Sequence, residues 1–466
     1  MAVSPLRKFI EQIETNGALY RISAPVNPVL EIATITDRIS KKLHGGKALL
    51  FEHPMGSHIQ IATNLFGSAD RVCQALGITS LNELTIRLSS LLSLIPKLDF
   101  NSLDRQISVL PEFSGFTPST SGESDPALTQ MHSPNIHDFP FLQCWPGDGA
   151  AEGFPRYITL PQVITVDPNS GMQNCGIYRV QIRGEREVAI QWKAGSGAAR
   201  HADLFRRAKE KMPVAIVLGG DPAVLFSAMF PLPGDVDEII FAGFLRGTPL
   251  DTALCRSIPI RIPTGAELVI EGYVEPDETV TEGPFGNHTG FYTPAAPASL
   301  MRVSAISCRH DAIIPATVVG PPPMEDCWMA QAWERLLLAF LQKLVPSIKD
   351  IHFPMEWVFH QSAIITLEIR QPGMVRSISS QLWALPWFKS AKILLFVTVE
   401  SGVKELPMAA WRFINVTDFS NDIYYDKATG RVAIDATGNL NIGTELKTSA
   451  LSAEIVASRW KEYGLA

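Results

Sequence analysis

The stretch Glu267–Pro294, ELVIEGYVEPDETVTEGPFGNHTGFYTP, decides how this chain is read. Its first half alternates apolar and polar residues, the period of a half-buried strand, and its second half is a loop dense in Gly and Pro. The strand therefore delivers Glu282, Asn287 and His288 to a shaped turn. Gly283, Gly286 and Gly290 permit backbone angles and close approaches that side chains would block. Taken alone, these residues fit either a folded site or a long hairpin loop with exposed polar groups.

Working outward, the stretch belongs to a β-rich unit. Strands are expected near Tyr157 to Val166, Gly176 to Arg183 and Val188 to Trp192, joined by the turn sequences DPNSG and GERE. Helices from His201 to Lys211 and Ala223 to Met229 flank an apolar strand, Val214 to Leu218. Further strands are expected at Glu238 to Phe244, Arg256 to Ile262 and Met301 to Cys308. A curled sheet or partly open barrel fits this order. Upstream, helical and strand patterns alternate: a helix capped by Ser4 and stopped at Asn16-Gly17, a strand near Leu19 to Ile22, a helix from Glu31 to Leu43 and a strand at Ala48 to Glu52. Ser68 caps a further helix ending at Gly77, and Leu81 to Ile95 is apolar enough to pack on both sides. The stretch Pro111 to Pro126, PEFSGFTPSTSGESDP, reads as a linker or long surface loop. Downstream, Met324 to Val345 is a strong helix, strands at Ala363 to Arg370 and Ala391 to Val399 alternate with helices, and an amphipathic helix from Ala450 to Tyr463 is expected to support assembly. The fold class is multidomain α/β and α+β, with units at 1–115, 116–315 and 316–466.

Composition bounds the function. At 466 residues, 46% hydrophobic and 19% charged, the chain can bury several cores. A net charge of −7 without a basic run argues against nucleic acid. The N-terminus does not read as a signal peptide, and no run of about eighteen uncharged apolar residues occurs, so a cytoplasmic protein without a stable membrane span is expected. The six cysteines are scattered without a CxxC pair, as for free thiols in a reducing compartment.

Three polar clusters fall on the central unit: Asn174-Cys175-Gly176-Ile177-Tyr178-Arg179, Glu238 at the head of EIIFAGFLRG, and the Glu282 loop. Asn and Glu offer hard oxygen ligands suited to Mg²⁺ or Mn²⁺ against a phosphate. Arg holds a carboxylate through two parallel hydrogen bonds, and Glu282 could serve as general acid or base. Residue chemistry alone does not bring the three together.

In order along the chain, N-x-G-x-Y-R, E before FAG-x-LRG, E-x-V-x-EGY and EGPFG-x-HTG-x-Y resemble the UbiD family of decarboxylases, which use prenylated FMN. The resemblance extends through PPMED at Pro322 to Asp326, the Phe353 to His360 segment and IDAT at Ile434 to Thr437, and is strongest with the menaquinone-biosynthesis branch. It implies a central antiparallel split-barrel, flavin-binding-like domain, a C-terminal oligomerisation domain with its terminal helix, and a homodimer or higher homo-oligomer. It further implies a carboxylic acid substrate and a flavin prenyltransferase as cofactor supplier. Asn174 and Glu238 match ligands of a divalent metal, usually Mn²⁺, with K⁺ a further candidate. Ile177, Tyr178 and Arg179, with Gln191 and Trp192, match the cofactor-contacting segments. Arg179 also matches the catalytic arginine, and Glu282 the first catalytic glutamate. The implied reaction is non-oxidative, reversible decarboxylation of an aromatic or α,β-unsaturated acid.

Two positions depart from the family pattern. Gly195 stands where a third metal ligand, a His, is usual; His201 is a possible substitute or simply begins a helix. Asn287 stands where many members carry the acid that donates a proton, and an amide cannot give one up at useful pH. Proton delivery then falls to His288, or to a water held by Asn287 and Glu282, unless His288 only orders the loop. Phe285, Phe291 and Trp192 could line an aromatic pocket or belong to the core. An FMN oxidoreductase, or a family member that binds ligand or partner without catalysis, are the competing readings.

Overall fold

A computed structural model describes residues 4–98, 106, 111–232, 236–368, 373–399, 406–438, 446 and 448–464. Ser4 caps the first helix, Pro5–Thr15, accepting a hydrogen bond from the Arg7 amide, and the helix buries Leu6, Phe9, Ile10 and Ile13. Strands Leu19–Ile22, Ala48–Phe51 and Gln60–Thr63 join Ile313–Ala316 in a four-stranded mixed sheet. The chain thus returns to its N-terminal region after crossing the central unit.

The central unit is a nine-stranded sheet whose main path runs Tyr157–Ile158, Val180–Gly184, Glu187–Ile190, Ala296–Cys308, Ala266–Glu282, Met212–Gly219, Gln162–Val166, Gln173–Gly176. Its pairings are antiparallel throughout. Val180–Gly184 and Gln173–Gly176 lie six strand steps apart along that path, which in a flat sheet is roughly 29 Å. Yet the chain passes from Gly176 to Val180 in four residue steps, at most about 14 Å. The sheet must therefore curl until its two sides meet, and Ile177, Tyr178 and Arg179 bridge the seam. Its strands are apolar on both faces: Val214, Ile216 and Leu218 point to one hydrophobic core, Ala215 and Val217 to the other.

Several elements differ from the sequence reading. Glu238 opens a helix, Glu238–Arg246, rather than a strand. Asp237 caps it by accepting from the Ile239 and Ile240 amides at 2.7 and 3.3 Å, and Gly247 ends it at φ +80°. The apolar run IIFAGFL carries no alternation, so period could not separate the two states. Of the expected Arg256 to Ile262 strand, only Arg261–Pro263 forms. The expected Gly176 to Arg183 strand is broken at the seam. The Pro111 to Pro126 loop is anchored rather than loose: Phe113 is buried, and Ser119–Thr120 pairs with Asp251 and Thr252. Helix Asn82–Ser93 buries one face only, Leu84, Leu88, Leu91 and Leu92, while Ile86 is exposed.

Beyond helix Glu325–Leu344, a five-stranded sheet orders Ile348–His352, Ser362–Leu367, Ile393–Thr398, Arg431–Asp435 and Ile423–Asp426. The end of the expected Ala363 to Arg370 strand lies outside the described residues. The C-terminal helix, Ala450–Ser458, continues into a short turn at Trp460–Tyr463, and neither buries a residue. Among the described residues no helix is long and apolar enough to cross a membrane, and the six cysteines are unpaired.

Candidate active site

The seam is where the polar residues converge. Gly176 ends its strand under the Tyr178 ring, where a Cβ would come within 2.6 Å of the ring carbons. Tyr178 is buried and packs edge-to-face on Trp192 with ring centroids 5.4 Å apart, while the Trp192 indole donates to Ser299 Oγ at 2.9 Å. Ile177 packs against the hydrophobic core.

Arg179, next along, is aimed at Glu282. Its Nε donates to Oε1 at 2.8 Å and its Nη2 to Oε2 at 2.7 Å, the fork geometry of a bidentate pair. Nη2 also donates to Gln191 Oε1 at 2.9 Å, and the guanidinium lies 4.9 Å over the Phe285 ring. Glu282, the last residue of strand Ala266–Glu282, is wholly buried, and a carboxylate so placed requires such a partner. Tyr157 lies beneath, its ring 4.8 Å from Phe285; burial and the Glu282 charge push its phenol well above its ordinary range. Among the described residues Arg179 Nη1 meets no protein acceptor, so one edge of the guanidinium remains for a ligand.

After Glu282 the chain turns at Gly283, φ +100°, a conformation that excludes β-carbons at little cost only for glycine. Phe285–Gly286 then pairs with Tyr292–Thr293. Both ends of the Asn287 amide are used locally: Nδ2 donates to Thr293 Oγ1 at 3.0 Å, and Oδ1 accepts from the His288 amide at 2.7 Å. Asn287 therefore shapes the turn. His288 is part-buried, and desolvation, then the Lys193 charge, lower its pKa to about 4, leaving the imidazole neutral at pH 7. Phe291 is 77% exposed, whereas Phe285 is buried beneath the Arg179 guanidinium.

Asp148 is the residue the sequence reading missed. Its Oδ1 accepts from the Gly286 amide at 2.8 Å and its Oδ2 from Cys144 and Trp145, tying the Glu282 loop to a second turn. Gly286 lies so close to Trp145 that a Cβ would fall 2.1 Å from its ring. The signal was an acid inside the Gly- and Pro-rich run Cys144 to Gly149, CWPGDG.

Asn174 and Glu238 meet on the other side of the seam segment. Glu238 Oε2 accepts from the Cys175 amide at 2.9 Å, and both residues line a cavity of about 220 Å³ with Asp167, Gln173, Arg200 and His201. His201 neither caps nor begins its helix; Ser196 caps Gly197–Ala208, and His201 is buried with Nδ1 2.9 Å from Thr165 Oγ1. Gly195 has open space around it and does not line the cavity. Burial drives the Glu238 carboxyl up to about 8, and among the described residues the buried Asn174 Nδ2 has no hydrogen-bond partner. An acid held up in this way beside an amide and an imidazole, with Arg200 the basic side chain in the same cavity, is a donor set that suits a hard cation shared with a phosphate. Among the described residues no group of three or more His, Cys, Asp or Glu converges as a complete metal site.

Comparison with known proteins identifies the family. Residues 10–88 match the 3-octaprenyl-4-hydroxybenzoate carboxy-lyase N-terminal domain, 120–322 its Rift-related domain and 327–445 its C-terminal domain. The chain belongs to the UbiD family of decarboxylases. Among relatives of this UbiD chain, an uncharacterised protein of Archaeoglobus fulgidus is 36% identical over 94% of this chain and 92% of its own length. One of Aquifex aeolicus is 36% identical over 98% and 93%. The fold is similar to an evolved dimeric form of the UbiD-class enzyme HmfF from Pelotomaculum thermopropionicum in complex with prFMN. That match has a TM-score of 0.83 at 23% identity, covering 97% of this chain and 98% of the other. It is also similar to closed-form vanillic acid decarboxylase of Sedimentibacter hydroxybenzoicus, with a TM-score of 0.82 at 22% identity and 99% of both chains covered.

Proposed function

We propose that this UbiD-family chain catalyses the reversible, non-oxidative decarboxylation of an aromatic or α,β-unsaturated carboxylic acid with prenylated FMN. The observation that carries the reading is the bidentate pair of Arg179 with the buried Glu282 at the seam, with one guanidinium edge left for a ligand. The prFMN in the similar HmfF structure supports the cofactor. When bound, prenylated FMN supplies the electron sink that an sp² carbon needs as CO₂ departs.

The chain's own residues do the rest. Arg179 holds the substrate carboxylate on its free edge while Glu282 and Gln191 fix the guanidinium plane. Phe285 lies under that plane, and Glu282 is wholly buried while Arg179 keeps some exposure for a ligand. Proton delivery to the vacated carbon falls to His288, since both ends of the Asn287 amide are engaged within the loop. With its pKa lowered to about 4, His288 rests neutral at pH 7, so it would take the proton from solvent during turnover and pass it on to the carbon. Asn174 and Glu238, with His201 in the same cavity, would hold a divalent cation such as Mn²⁺, K⁺ being a further candidate, and Ile177, Tyr178, Gln191 and Trp192 would contact the cofactor. The domain division at 115 and 315, a split-barrel cofactor domain, a homo-oligomer, and cofactor supply by a flavin prenyltransferase belong to the same reading.

A second reading, ligand binding without catalysis, draws on Asn287 and Gly195. One experiment separates them: produce the protein together with a flavin prenyltransferase, then screen aromatic and α,β-unsaturated acids for CO₂ release and for deuterium exchange into the product. Turnover of at least one acid is expected. Bound prenylated flavin with neither CO₂ release nor exchange across the panel would favour the second reading.

A further inference from the structure

The Glu282 loop is touched from the C-terminal unit. The His360 ring meets the His288 ring edge-to-face, with centroids 4.7 Å apart and planes at 77°, and Phe359 lies 5.2 Å from His288 and 5.0 Å from His360. The three rings form one cluster in which each touches the other two. His360 and Phe359 come from a short turn, Phe359–Gln361, that precedes strand Ser362–Leu367 of the C-terminal sheet.

The backbone that delivers them is unusual. Val358 sits at φ +56°, ψ +51°, a left-handed conformation that a β-branched residue rarely adopts. Such strain persists only where surrounding structure over-determines it. Here Val358 donates its amide to Met355 O at 3.1 Å, and its own carbonyl accepts from the Gln361 amide at 2.9 Å. The reversal between two short helical turns sends Phe359 and His360 out of the C-terminal unit toward His288.

We propose that His360 is a positioning residue for His288: its ring, delivered by the strained Val358 turn, fixes the orientation of the His288 imidazole and makes the C-terminal unit part of the active site. The inference rests on the assignment of proton delivery to His288. A side chain on a Gly-rich loop has several open rotamers, and two flanking rings remove most of them. A misplacement of about 1 Å in a proton donor costs on the order of a hundredfold in rate. Neutrality of both rings favours the contact: burial lowers each imidazole, His288 to about 4 and His360 to about 3, with Lys193 opposing charge on both and His288 opposing charge on His360. Two imidazoles that are uncharged at neutral pH pack as aromatic surfaces instead of repelling.

The test uses the prenylated-flavin-loaded full chain and the acid identified by the screen. His360→Ala is expected to lower kcat by at least tenfold, with KM changed less than threefold and the flavin absorbance unchanged. His360→Phe keeps a ring against His288 and is expected to stay within about threefold of the parent, a rescue that loss of fold would not give. In the double variant, His360→Ala should add nothing to the loss caused by His288→Asn, because the two act as one unit. Unchanged kcat in His360→Ala while His288→Asn is impaired overturns the positioning role alone. Near-normal turnover in His288→Asn overturns the proton-delivery reading and the inference with it, and full additivity of the two losses contradicts the coupling.

Discussion

Asn174 and Arg179 are five positions apart in one stretch, yet the clusters they build are in opposite states. Arg179 and Glu282 satisfy each other through two hydrogen bonds, and that centre is complete before any ligand arrives. Among the described residues Glu238 makes no ion pair, its carboxyl is held up to about 8 by burial with the Arg200 charge in the same cavity opposing the rise, and the Asn174 amide nitrogen has no partner. Charges matched within the chain make a rigid tool, whereas an unmatched buried acid marks a place completed by something positive from outside. The segment Asn174 to Arg179 carries both, which places a proposed anchoring site and a proposed reacting site at opposite ends of six residues.

The largest effect should fall on the matched pair. Arg179→Ala is expected to cut turnover by about 10³-fold or more, roughly 4 kcal/mol of transition-state stabilisation, with circular dichroism and flavin content preserved. Flavin loss in that variant would blur the division between the two regions. His288→Asn should lower kcat by about 10²-fold in steady-state assays while flavin and metal remain bound. Glu238→Ala should act on binding instead, weakening metal and flavin retention by about 10- to 100-fold, read by metal analysis and absorbance after gel filtration. A variant that keeps full metal and flavin would remove Glu238 from the anchoring site.

The smallest effect is on stability. The folded-state pKa values of His288 and His360 lie below the ordinary histidine value, so the unfolded chain binds more protons. Their contribution is present above about pH 6.5 and declines as pH falls toward 4. The melting temperature should therefore drop by roughly a few degrees between pH 7 and pH 5 through these two groups, and by less in the His288→Asn, His360→Phe double variant. An equal drop in both proteins would assign the acid sensitivity elsewhere.

Much of this was legible in the residues. The Ser4 and Ser68 caps and the glycine stops placed elements correctly, because each depends on local chemistry, and the strand over Glu267 to Val274 formed as expected but buried on both faces, Glu267 and Glu271 included, rather than half-buried. The helix at Glu238 was not legible, since an apolar run buried on all sides has no period and only the Asp237 cap marked it. The curl of the sheet was not legible either: it follows from pairing between strands far apart in sequence. Arg179 and Glu282 were picked out by residue type, but their bidentate pairing across 103 positions is a tertiary fact. Asp148 and His360 escaped because one works through backbone amides and the other reaches in from a different unit; only the acid in CWPGDG and the His after Val358-Phe359 hinted at them.

The central claim is that Arg179, freed on one edge and braced by Glu282, holds the carboxylate that is lost. The most direct measurement is deuterium exchange into the product carbon, followed in D₂O with prenylated-flavin-loaded protein and compared between the parent chain and Arg179→Ala. The account predicts steady exchange in the parent and none above background in the variant, with equal flavin in both. Exchange at comparable rates in the two proteins would contradict it.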